Sequence, residues 1–570
     1  VSYSKFSVAV SEDGESWSDD YIADMAEGEC FQWKYLTPSY MGKDKYGNDK
    51  RFFYSQPIKF SARYVRITSQ QIGLKMNEVI FHDANGDRIP ATVIAQLNVM
   101  EESTLYSDAN SIFDEQDTLE GLPSWWNSTY FDEIYHARTA YEHLHGTAPY
   151  ETSHPPLGKV IMSLGIAIFG MVPFGWRVMG ALAGILMLPA MYLLGKQLTK
   201  KSSFAFAAAL MLALDCQHFT QTRIATIDSY PVLFILFSWL FMLRFMQRDI
   251  VRLPLKKLLP DLALSGLFMG LGIASKWIGV YSGAGLAVAF FWTIFRHMRM
   301  AATSAHLLKT DKNLSDEDRK ILTLRDQTTM KRVLVICLWC LLFFVAIPLA
   351  IYLLAYIPYF AYAHFDNLKD YLTAVWNAQL SMFSYHSKPG LGMDHPFYSP
   401  WYEWIFNQRP MYYASPTYVN TPGWSYAIWC FGNPAIWSAA LVGFAYTVFM
   451  WAKRHRYTLR KDGETLHWTA ADWDVTMPFL LLSALSQFLP WVLVPRGTYI
   501  YHYFATTPFL MLSITVLFRD ITRRFPKTGK WLLGIFLGVC LAMFVAYFPY
   551  ASGTLTPTWW LDFMEQFLRI

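Results

Sequence analysis

Two adjacent carboxylates, Asp132 and Glu133, open the stretch of this chain that is best equipped for chemistry. The stretch covers residues 130–159, YFDEIYHARTAYEHLHGTAPYETSHPPLGK, and the chain turns apolar directly after it. A carboxylate pair just outside a membrane is suited to acid–base catalysis at the lipid surface. An acidic pair is equally typical of a solvated loop before a helix, so these residues alone leave both interpretations open.

Composition indicates that this stretch borders a membrane. Of the 570 residues, 53% are hydrophobic and only 16% are charged, whereas about a quarter of a soluble domain is charged. The hydrophobic residues also fall into long blocks, which predicts a polytopic α-helical membrane protein. The net charge of +4 gives no reason to expect nucleic acid as a partner. Six cysteines are present, of which only Cys30 lies in the polar N-terminal head, so no disulfide framework is predicted.

The N-terminal head, residues 1–97, has the alternating pattern of β-strands separated by turns. Its segments FSVAVSEDGESW, ARYVRITS and LKMNEVIFHDANG resemble the discoidin-type (F5/8 type C) module, a jelly-roll β-sandwich. That resemblance implies either a glycan as a partner of the module or simple packing against its host. The first strands of such a module would precede Val1, and no signal peptide or initiator Met is present. We therefore expect the chain to be a fragment with a partial sandwich.

Ten apolar stretches follow, each near the roughly 20 residues that a span requires. They are 175–195, 203–220, 229–246, 261–276, 278–296, 333–360, 427–451, 474–494, 504–518 and 531–549.

Lys and Arg are concentrated in every second connection between these stretches. The basic connections lie near residues 196–201, 244–257, 296–332, 453–461 and 519–530. Basic loops favour the cytoplasmic side, so the head and the remaining loops are predicted to be extracellular. A head outside the membrane needs a helix before it, which we expect upstream of Val1. The predicted domains are the partial sandwich 1–97, a first extracellular catalytic loop 98–174, a transmembrane domain 175–550 and an extracellular tail 551–570.

Ionisable residues lie on the predicted outer edge of the spans. Arg223 and Asp228 occur in TQTRIATIDS, and Lys276 occurs in LGIASKWIGVY. Because a charge at the membrane centre costs about 2.5–3.5 kcal/mol, such residues are usually functional, although a short loop is a weaker case. Lys276 either reaches outward to water or contacts a phosphate. The longer outer loops add His395, Arg409 and Arg496.

Five sequence words occur in the same order as in the protein O-mannosyltransferases, over residues 130–550. They are FDEIYHARTAYEHLHG with SHPPLGKVIM, FGWRVMGALAG, LALDCQHFTQTRIATIDS, GLGIASKWIGVY, and HPFYSPWYEW with RP. The chain thus resembles that family, which implies the GT-C membrane glycosyltransferase fold. Eukaryotic members carry a β-trefoil MIR domain in a later loop, and 361–426 is too short for one. The discoidin-like head in the first loop points to a bacterial member and leaves the acceptor open.

The resemblance implies an inverting transfer of mannose from a polyprenyl-phosphate carrier to Ser or Thr hydroxyls of secreted or surface proteins. Asp132 matches the catalytic base, and Glu133 either positions the acceptor or holds the loop. The resemblance implies that three cations neutralise the donor phosphate: Arg223, Lys276 and Arg496. Four further residues would support the loops: His154, Asp228, His395 and Arg409. No cofactor and no metal are expected, because the donor already carries its activation and cations neutralise its phosphate.

Three other functions compete with this one. A related GT-C enzyme would transfer a lipid-linked sugar to a lipid or a cell-wall polymer. A transporter would commonly show repeated halves, and none is visible in the sequence. A sugar-binding receptor would explain the head but not the polar motifs distributed over several membrane loops. The predicted location is the cell membrane, with many spans and an extracellular catalytic side.

Overall fold

The computed structural model describes most of the chain, and every statement below concerns those residues. The described ranges are 3–26, 31–33, 35–36, 39–43, 49–53, 59–69, 76, 78–83, 85–97, 109–118, 123–416, 421–453, 459–462, 465–468 and 474–568. Cys30 lies outside them.

Seven short strands lie in the head and six in later loops. They are β1 Tyr3–Ser11, β2 Tyr21–Ala26, β3 Ser39–Lys43, β4 Asp49–Phe53, β5 Tyr64–Ser69, β6 Phe81–His82, β7 Arg88–Ile89, β8 Met411–Ala414, β9 Trp424–Ser425, β10 Ile428–Cys430, β11 Leu459–Asp462, β12 Thr465–Trp468 and β13 Thr556–Pro557.

In the head, β1 pairs antiparallel with β2 on one side and with β5 on the other. The hairpins β3–β4 and β6–β7 form separate two-stranded ladders. Phe6 and Val8 alternate with the small residues Ser7 and Ala9 along β1 and bury their side chains against Val65 and Ile67 of β5. The alternating pattern therefore marks real strands here. A two-sheet sandwich is not what the described strands display, and the discoidin-like interpretation stays a prediction.

The rest of the chain is mainly helical. The α-helices are α1 Glu133–Leu144, α2 Leu157–Phe169, α3 Pro173–Thr199, α4 Ser202–Ala213, α5 Cys216–Arg223, α6 Ser229–Met246, α7 Leu255–Ser275, α8 Ile278–Thr310, α9 Asp316–Leu341, α10 Ile347–Tyr359, α11 Leu368–Ser387, α12 Trp401–Trp404, α13 Pro434–Ala452, α14 Thr476–Phe488, α15 Thr507–Arg524, α16 Pro526–Ser552 and α17 Thr558–Leu568. A π-helical segment, Leu342–Ala346, joins α9 to α10 without a break.

Eight of the described helical segments are long and apolar enough to cross a membrane: Pro173–Thr199, Ser229–Met246, Leu255–Ser275, Ile278–Thr310, Asp316–Tyr359, Pro434–Ala452, Thr476–Leu493 and Pro526–Ser552. Each coincides with one of the ten predicted spans. The remaining two predictions fall on α4, which is shorter, and on α15. The protein is therefore a multi-pass membrane protein.

Two details differ from the pattern expected from hydropathy. The predicted span 203–220 ends at Ala213, because Asp215 starts a new helix by accepting the backbone N–H of His218 at 3.3 Å. The apolar helix α2 lies inside the stretch assigned to the catalytic loop and packs against α3. Gly165 of α2 and Gly175 of α3 allow this contact, because a Cβ on Gly165 would collide with the Gly175 carbonyl.

The helix α6 forms the centre of the bundle. It packs against α3, α7 and α8, and about four-fifths of its apolar stretch is buried (78%), far more than in α16 (11%). A helix that is apolar around its whole circumference suits such a central position. Its first residue, Ser229, follows Asp228, so the central helix begins at one of the ionisable residues of the predicted site.

Candidate active site

The loop before α1 has an unusual backbone at Phe131, the residue that precedes Asp132. Phe131 has φ +50°, in the left-handed region that a bulky residue seldom adopts. Its ring stacks on Tyr413 at 4.2 Å between centroids and meets Tyr501 edge-on at 6.1 Å. Such strain persists only where surrounding contacts hold it, and these aromatic contacts do so.

Asp132 occupies the N-cap position of α1 but does not cap it, since its carboxylate accepts no backbone N–H there. The side chain is half-buried, and no hydrogen bond or ion pair engages the carboxylate within the described part of the chain. Burial raises its pKa to about 7; Lys276 opposes this rise, while Asp228 and Glu151 add to it. A carboxyl group with a pKa near neutrality and an unoccupied carboxylate has the properties of a general base.

Glu133 is in the opposite situation, although it is the next residue. It is fully buried and forms a bidentate ion pair with Arg177, with N–O distances of 2.7 Å. Its carboxylate also accepts the backbone N–H groups of Ala225 at 2.9 Å and Tyr130 at 3.3 Å. Four donors thus occupy Glu133, and this geometry favours the loop-holding role of the two that the sequence left open.

Lys276 and Asp228 form a buried ion pair beside Asp132. The Lys276 ammonium lies 2.7 Å from Asp228 Oδ1, and both residues are only 7% exposed. Lys276 follows the end of α7 and Asp228 precedes α6, so the pair joins the ends of two packed helices. The Lys276 ammonium also lies 5.9 Å from the centre of the Tyr501 ring. The Lys276 ammonium therefore belongs to the charged cluster around Asp132 and does not extend alone towards water.

Arg496 is the second cation at this position. Asp132, Asp228 and Arg496 all act electrostatically on Tyr501, whose pKa is raised well above its usual value chiefly by burial. Arg496 donates to the carbonyl of Gly497 at 3.2 Å, and its buried Nε has no hydrogen-bond partner in the described residues. No carboxylate of the described residues pairs with it. It is therefore a cation available to an incoming anion.

A second polar cluster, centred on Glu151, stabilises the loop 145–156. Glu151 pairs with the buried ammonium of Lys159 and with His154 Nδ1 at 3.0 Å. Burial would raise the pKa of Glu151, but Lys159 and His154 outweigh burial and hold this pKa well below its usual value. His386 Nε2, at the end of α11, lies 2.6 Å from the Ser153 carbonyl, and its ring lies 5.2 Å from that of His154. The cluster thereby joins the loop 145–156 to α11.

The other predicted residues lie outside this group. Arg223 donates to the Ser552 carbonyl at 2.5 Å and stacks 4.2 Å above the ring centre of Trp125. Arg409 is exposed and pairs with Glu403 at 3.2 Å.

His395 is exposed, and its ring meets Tyr499 edge-on at 5.3 Å. The structure thus gathers Asp132, Lys276, Asp228 and Arg496, with His154 close behind. It places Arg223 and Arg409 with other partners. Within the described ranges, no group of three His, Cys, Asp or Glu residues is arranged to hold a metal ion.

Several residues of the site were not singled out from the sequence. Arg177, Glu151 and Lys159 each form a buried pair that fixes the loop, and Tyr501 is close enough to Asp132, Asp228 and Arg496 to be affected by their charges. Arg177 and Lys159 were present in the words FGWRVMGALAG and SHPPLGKVIM, whose match to a family was the available signal. Glu133, the partner of Arg177, lies 44 residues away, a separation that no local pattern reveals.

Comparison with known proteins identifies the class. The chain superposes on the yeast (S. cerevisiae) protein O-mannosyltransferase Pmt1–Pmt2 complex with a TM-score of 0.59 at 12% identity, covering 75% of this chain and 87% of that one. At that identity the likeness establishes the fold, which is the GT-C glycosyltransferase fold.

Two family models match the membrane part. The model described as dolichyl-phosphate-mannose-protein mannosyltransferase covers residues 168–368, and that of the C-terminal four-span region of protein O-mannosyltransferase covers 371–565. A polyprenol-phosphate-mannose--protein mannosyltransferase of Mycolicibacterium smegmatis is 24% identical over 70% of this chain and 78% of its own. The one from Mycobacterium tuberculosis is 25% identical over 75% and 83%. This chain belongs to the protein O-mannosyltransferase family and is a glycosyltransferase.

Proposed function

We propose that this protein transfers mannose from a polyprenyl-phosphate carrier to a Ser or Thr hydroxyl of a protein, with inversion at the anomeric carbon. The observation that carries the assignment of roles is the Asp132 carboxylate, which no described residue engages and which lies near Lys276, with Arg496 acting on the same neighbouring Tyr501. The names of the relatives and the family models support mannose and a protein acceptor. They do not favour the alternative in which a lipid or a cell-wall polymer accepts the sugar.

The residues divide the reaction between them. Asp132 accepts the proton of the acceptor hydroxyl as its oxygen attacks the anomeric carbon. The bond from that carbon to the phosphate oxygen breaks, and polyprenyl phosphate leaves with the bonding electrons. Lys276 and Arg496 stabilise the negative charge that develops on this phosphate. A single displacement inverts the anomeric configuration. The proposed reaction uses no cofactor, because the donor supplies the leaving group.

The proposal also includes the side of the membrane on which the site lies. Loop 361–426 contacts the catalytic loop through His386 and Ser153, and loop 495–503 contacts loop 361–426 through a backbone hydrogen bond from Gly497 to Leu391 at 2.7 Å. We assign this face to the outside of the cell membrane, because the connections at the opposite ends of the spans are basic. A glycan partner of the head stays a prediction, since the described head residues display no site for one.

The test is single-turnover transfer from lipid-linked mannose to a Ser/Thr peptide, with donor binding measured in parallel. Asp132→Asn keeps the shape of the base and removes its basicity, so we expect the rate to fall by roughly 10²–10⁴-fold while donor affinity changes little. Asp366→Asn, an exposed carboxylate in the loop after α10, is the matched control and should transfer at the wild-type rate. Transfer by Asp132→Asn at near the wild-type rate would remove Asp132 from the mechanism.

A further inference from the structure

The head docks directly onto the backbone that leads into the catalytic base. Its docking segment, residues 31–33, lies against residues 128–130. The backbone N–H of Trp33 donates to Ser128 Oγ at 2.8 Å, and Thr129 Oγ1 donates to the Phe31 carbonyl at 2.8 Å. The backbone N–H of Thr129 donates to the same carbonyl at 3.3 Å. These contacts join residues about 95 positions apart (|i−j| of 95 and 98).

The residues of catalytic-loop segment 128–129 that contact the head are buried. Ser128 is 4% exposed and Thr129 is 2% exposed. Phe31 adopts φ +60°, and its ring packs 5.4 Å from that of Tyr141 on α1. A buried hydroxyl with its partner removed leaves a polar group unsatisfied, so each of these bonds is costly to break.

The backbone at Ser128 also contacts Arg177, which anchors the catalytic loop through Glu133. The Ser128 carbonyl accepts from Arg177 Nη2 at 2.8 Å, and the same nitrogen lies 2.7 Å from Glu133 Oε2. The Arg177 guanidinium also lies 5.2 Å from the ring centre of Tyr130. Ser128 is thus held by the head through its side chain and by α3 through its carbonyl. Only three residues lie between this doubly held position and Asp132.

We propose that the head is a positioning element of the active site: its docking segment, through Ser128 and Thr129, holds the backbone 128–131 so that Asp132 faces the acceptor hydroxyl. The clamp acts on one side of Phe131, whose φ of +50° is held on the other side by the ring contacts with Tyr413 and Tyr501. The role in turnover rests on the proposed function, whereas the mechanical coupling does not. Because a displacement of about 1 Å at a catalytic group costs on the order of 10²-fold in rate, a loosened clamp lowers turnover without removing any reacting group.

The experiment compares variants of the full-length protein in detergent. Ser128→Ala with Thr129→Val removes both hydroxyls and preserves the volume at 129, whereas Thr129→Ser keeps the donor. Trp17→Ala is the control within the head, because Trp17 stacks under Arg66 at 4.4 Å and lies outside the docking segment. Three quantities are measured: amide hydrogen exchange over residues 128–136, the single-turnover rate, and donor affinity. Thr129→Val alone replaces the double variant if the latter does not give folded protein.

The proposal expects faster exchange over 128–136 and a rate lowered by roughly 10–100-fold in the hydroxyl-free variant, with donor affinity retained. Thr129→Ser and Trp17→Ala should keep the wild-type rate. An unchanged rate in a protein whose residues 128–136 exchange faster would overturn the proposal, and so would an equal loss with Trp17→Ala. A wild-type enzyme without mannose transfer contradicts the proposed function instead, and the exchange measurement then decides the coupling by itself.

Discussion

At the scale of single residues, neighbours in sequence have different surroundings and therefore different chemistry. Asp132 has a half-buried carboxylate that no described residue engages, and burial raises its pKa to about 7. Glu133, one residue later, is saturated by Arg177 and two backbone N–H groups. Two carboxylates in different environments divide into a reactive group and an anchor. The predictions at this scale concern the base and the cations.

The pH dependence of turnover tests the base. Asp132 must be ionised to accept a proton, so the rate should rise with pH and level off above about pH 7. On the acid side the rate should fall about tenfold per pH unit. The measurement is the single-turnover rate against pH at saturating donor. A profile that stays flat through neutrality would contradict an Asp132 base.

The pH dependence of the stability of the protein should also report the ionisation of Asp132. The folded-state pKa of Asp132, about 7, lies above the ordinary value of 3.8, so the folded state favours the protonated form. That stabilisation is complete below the ordinary pKa and is lost as pH rises towards 7. Asp132→Asn stays neutral and should therefore melt at a higher temperature than the wild type above pH 7, with the difference vanishing near the acid end. Thermal unfolding of both proteins, measured above pH 7 and at acid pH, checks this prediction. A variant that is less stable than the wild type above pH 7 would contradict it.

The cations provide a comparison between two arginines. Arg496 has a buried Nε without a partner among the described residues. Arg223 donates to the Ser552 carbonyl and stacks on Trp125, although its own buried Nη2 has no partner in the described part of the chain either. A hydrogen bond to a charged group contributes about 1.5–3 kcal/mol, so Arg496→Gln should weaken donor binding roughly 10–100-fold and slow turnover as well. Arg223→Gln should leave donor binding closer to wild type. Binding of lipid-linked mannose to both variants decides between them; the reverse order would restore Arg223 as the phosphate contact.

At the scale of elements, buried pairs join helices at the loop that carries the base. Glu133 joins the start of α1 to Arg177 of α3, Lys276 joins the end of α7 to Asp228 before α6, and Lys159 of α2 holds Glu151. Each pair lies between two elements, so the loop is held from several sides. Such rigidity keeps a base aligned with an acceptor that enters from solvent.

The Glu133–Arg177 pair gives the prediction for this scale. Removing one partner of a buried pair costs about 3–5 kcal/mol, because the other charge stays buried. Glu133→Gln should therefore lower the stability of the protein markedly, in addition to its effect on turnover, whereas Asp132→Asn should not. Thermal unfolding measured beside the transfer rate separates the two roles. A Glu133→Gln protein that is inactive yet as stable as wild type would place Glu133 in the chemistry.

At the scale of the whole molecule, the polar ends of the bundle differ in character. One end gathers the head, the catalytic loop, α11 and residues 495–503 around Asp132. At the other end, Asp249 between α6 and α7 pairs with Arg325 of α9 at 2.7 Å, and the long helices α8 and α9 extend beyond their apolar parts. The separation of the two ends corresponds to the two faces of a membrane.

Labelling of single cysteines tests this arrangement. Cysteines introduced at Thr310 and Lys320, in the α8–α9 connection, should be protected from an impermeant reagent in intact cells. A cysteine at Asp366, after α10, should react, and all three should react after the cells are opened. The physical reason is the basic bias of the connections assigned to the cytoplasm. Labelling at 310 or 320 from outside would reverse the orientation.

The sequence alone determined the class of protein and the approximate place of the eight spans that the described helices match. It also indicated the loop that carries the proposed base. These are local properties: an apolar run, a basic connection and an adjacent Asp132–Glu133 pair are visible within a few tens of residues. Tertiary structure decided which charges meet. Glu133 finds Arg177 at a separation of 44 residues, Lys276 finds Asp228 at 48, and Arg223 finds Ser552 at 329. Because burial and the distance between partners set the charge and freedom of each group, only the folded chain shows that Asp132 is left unoccupied while its neighbour becomes an anchor.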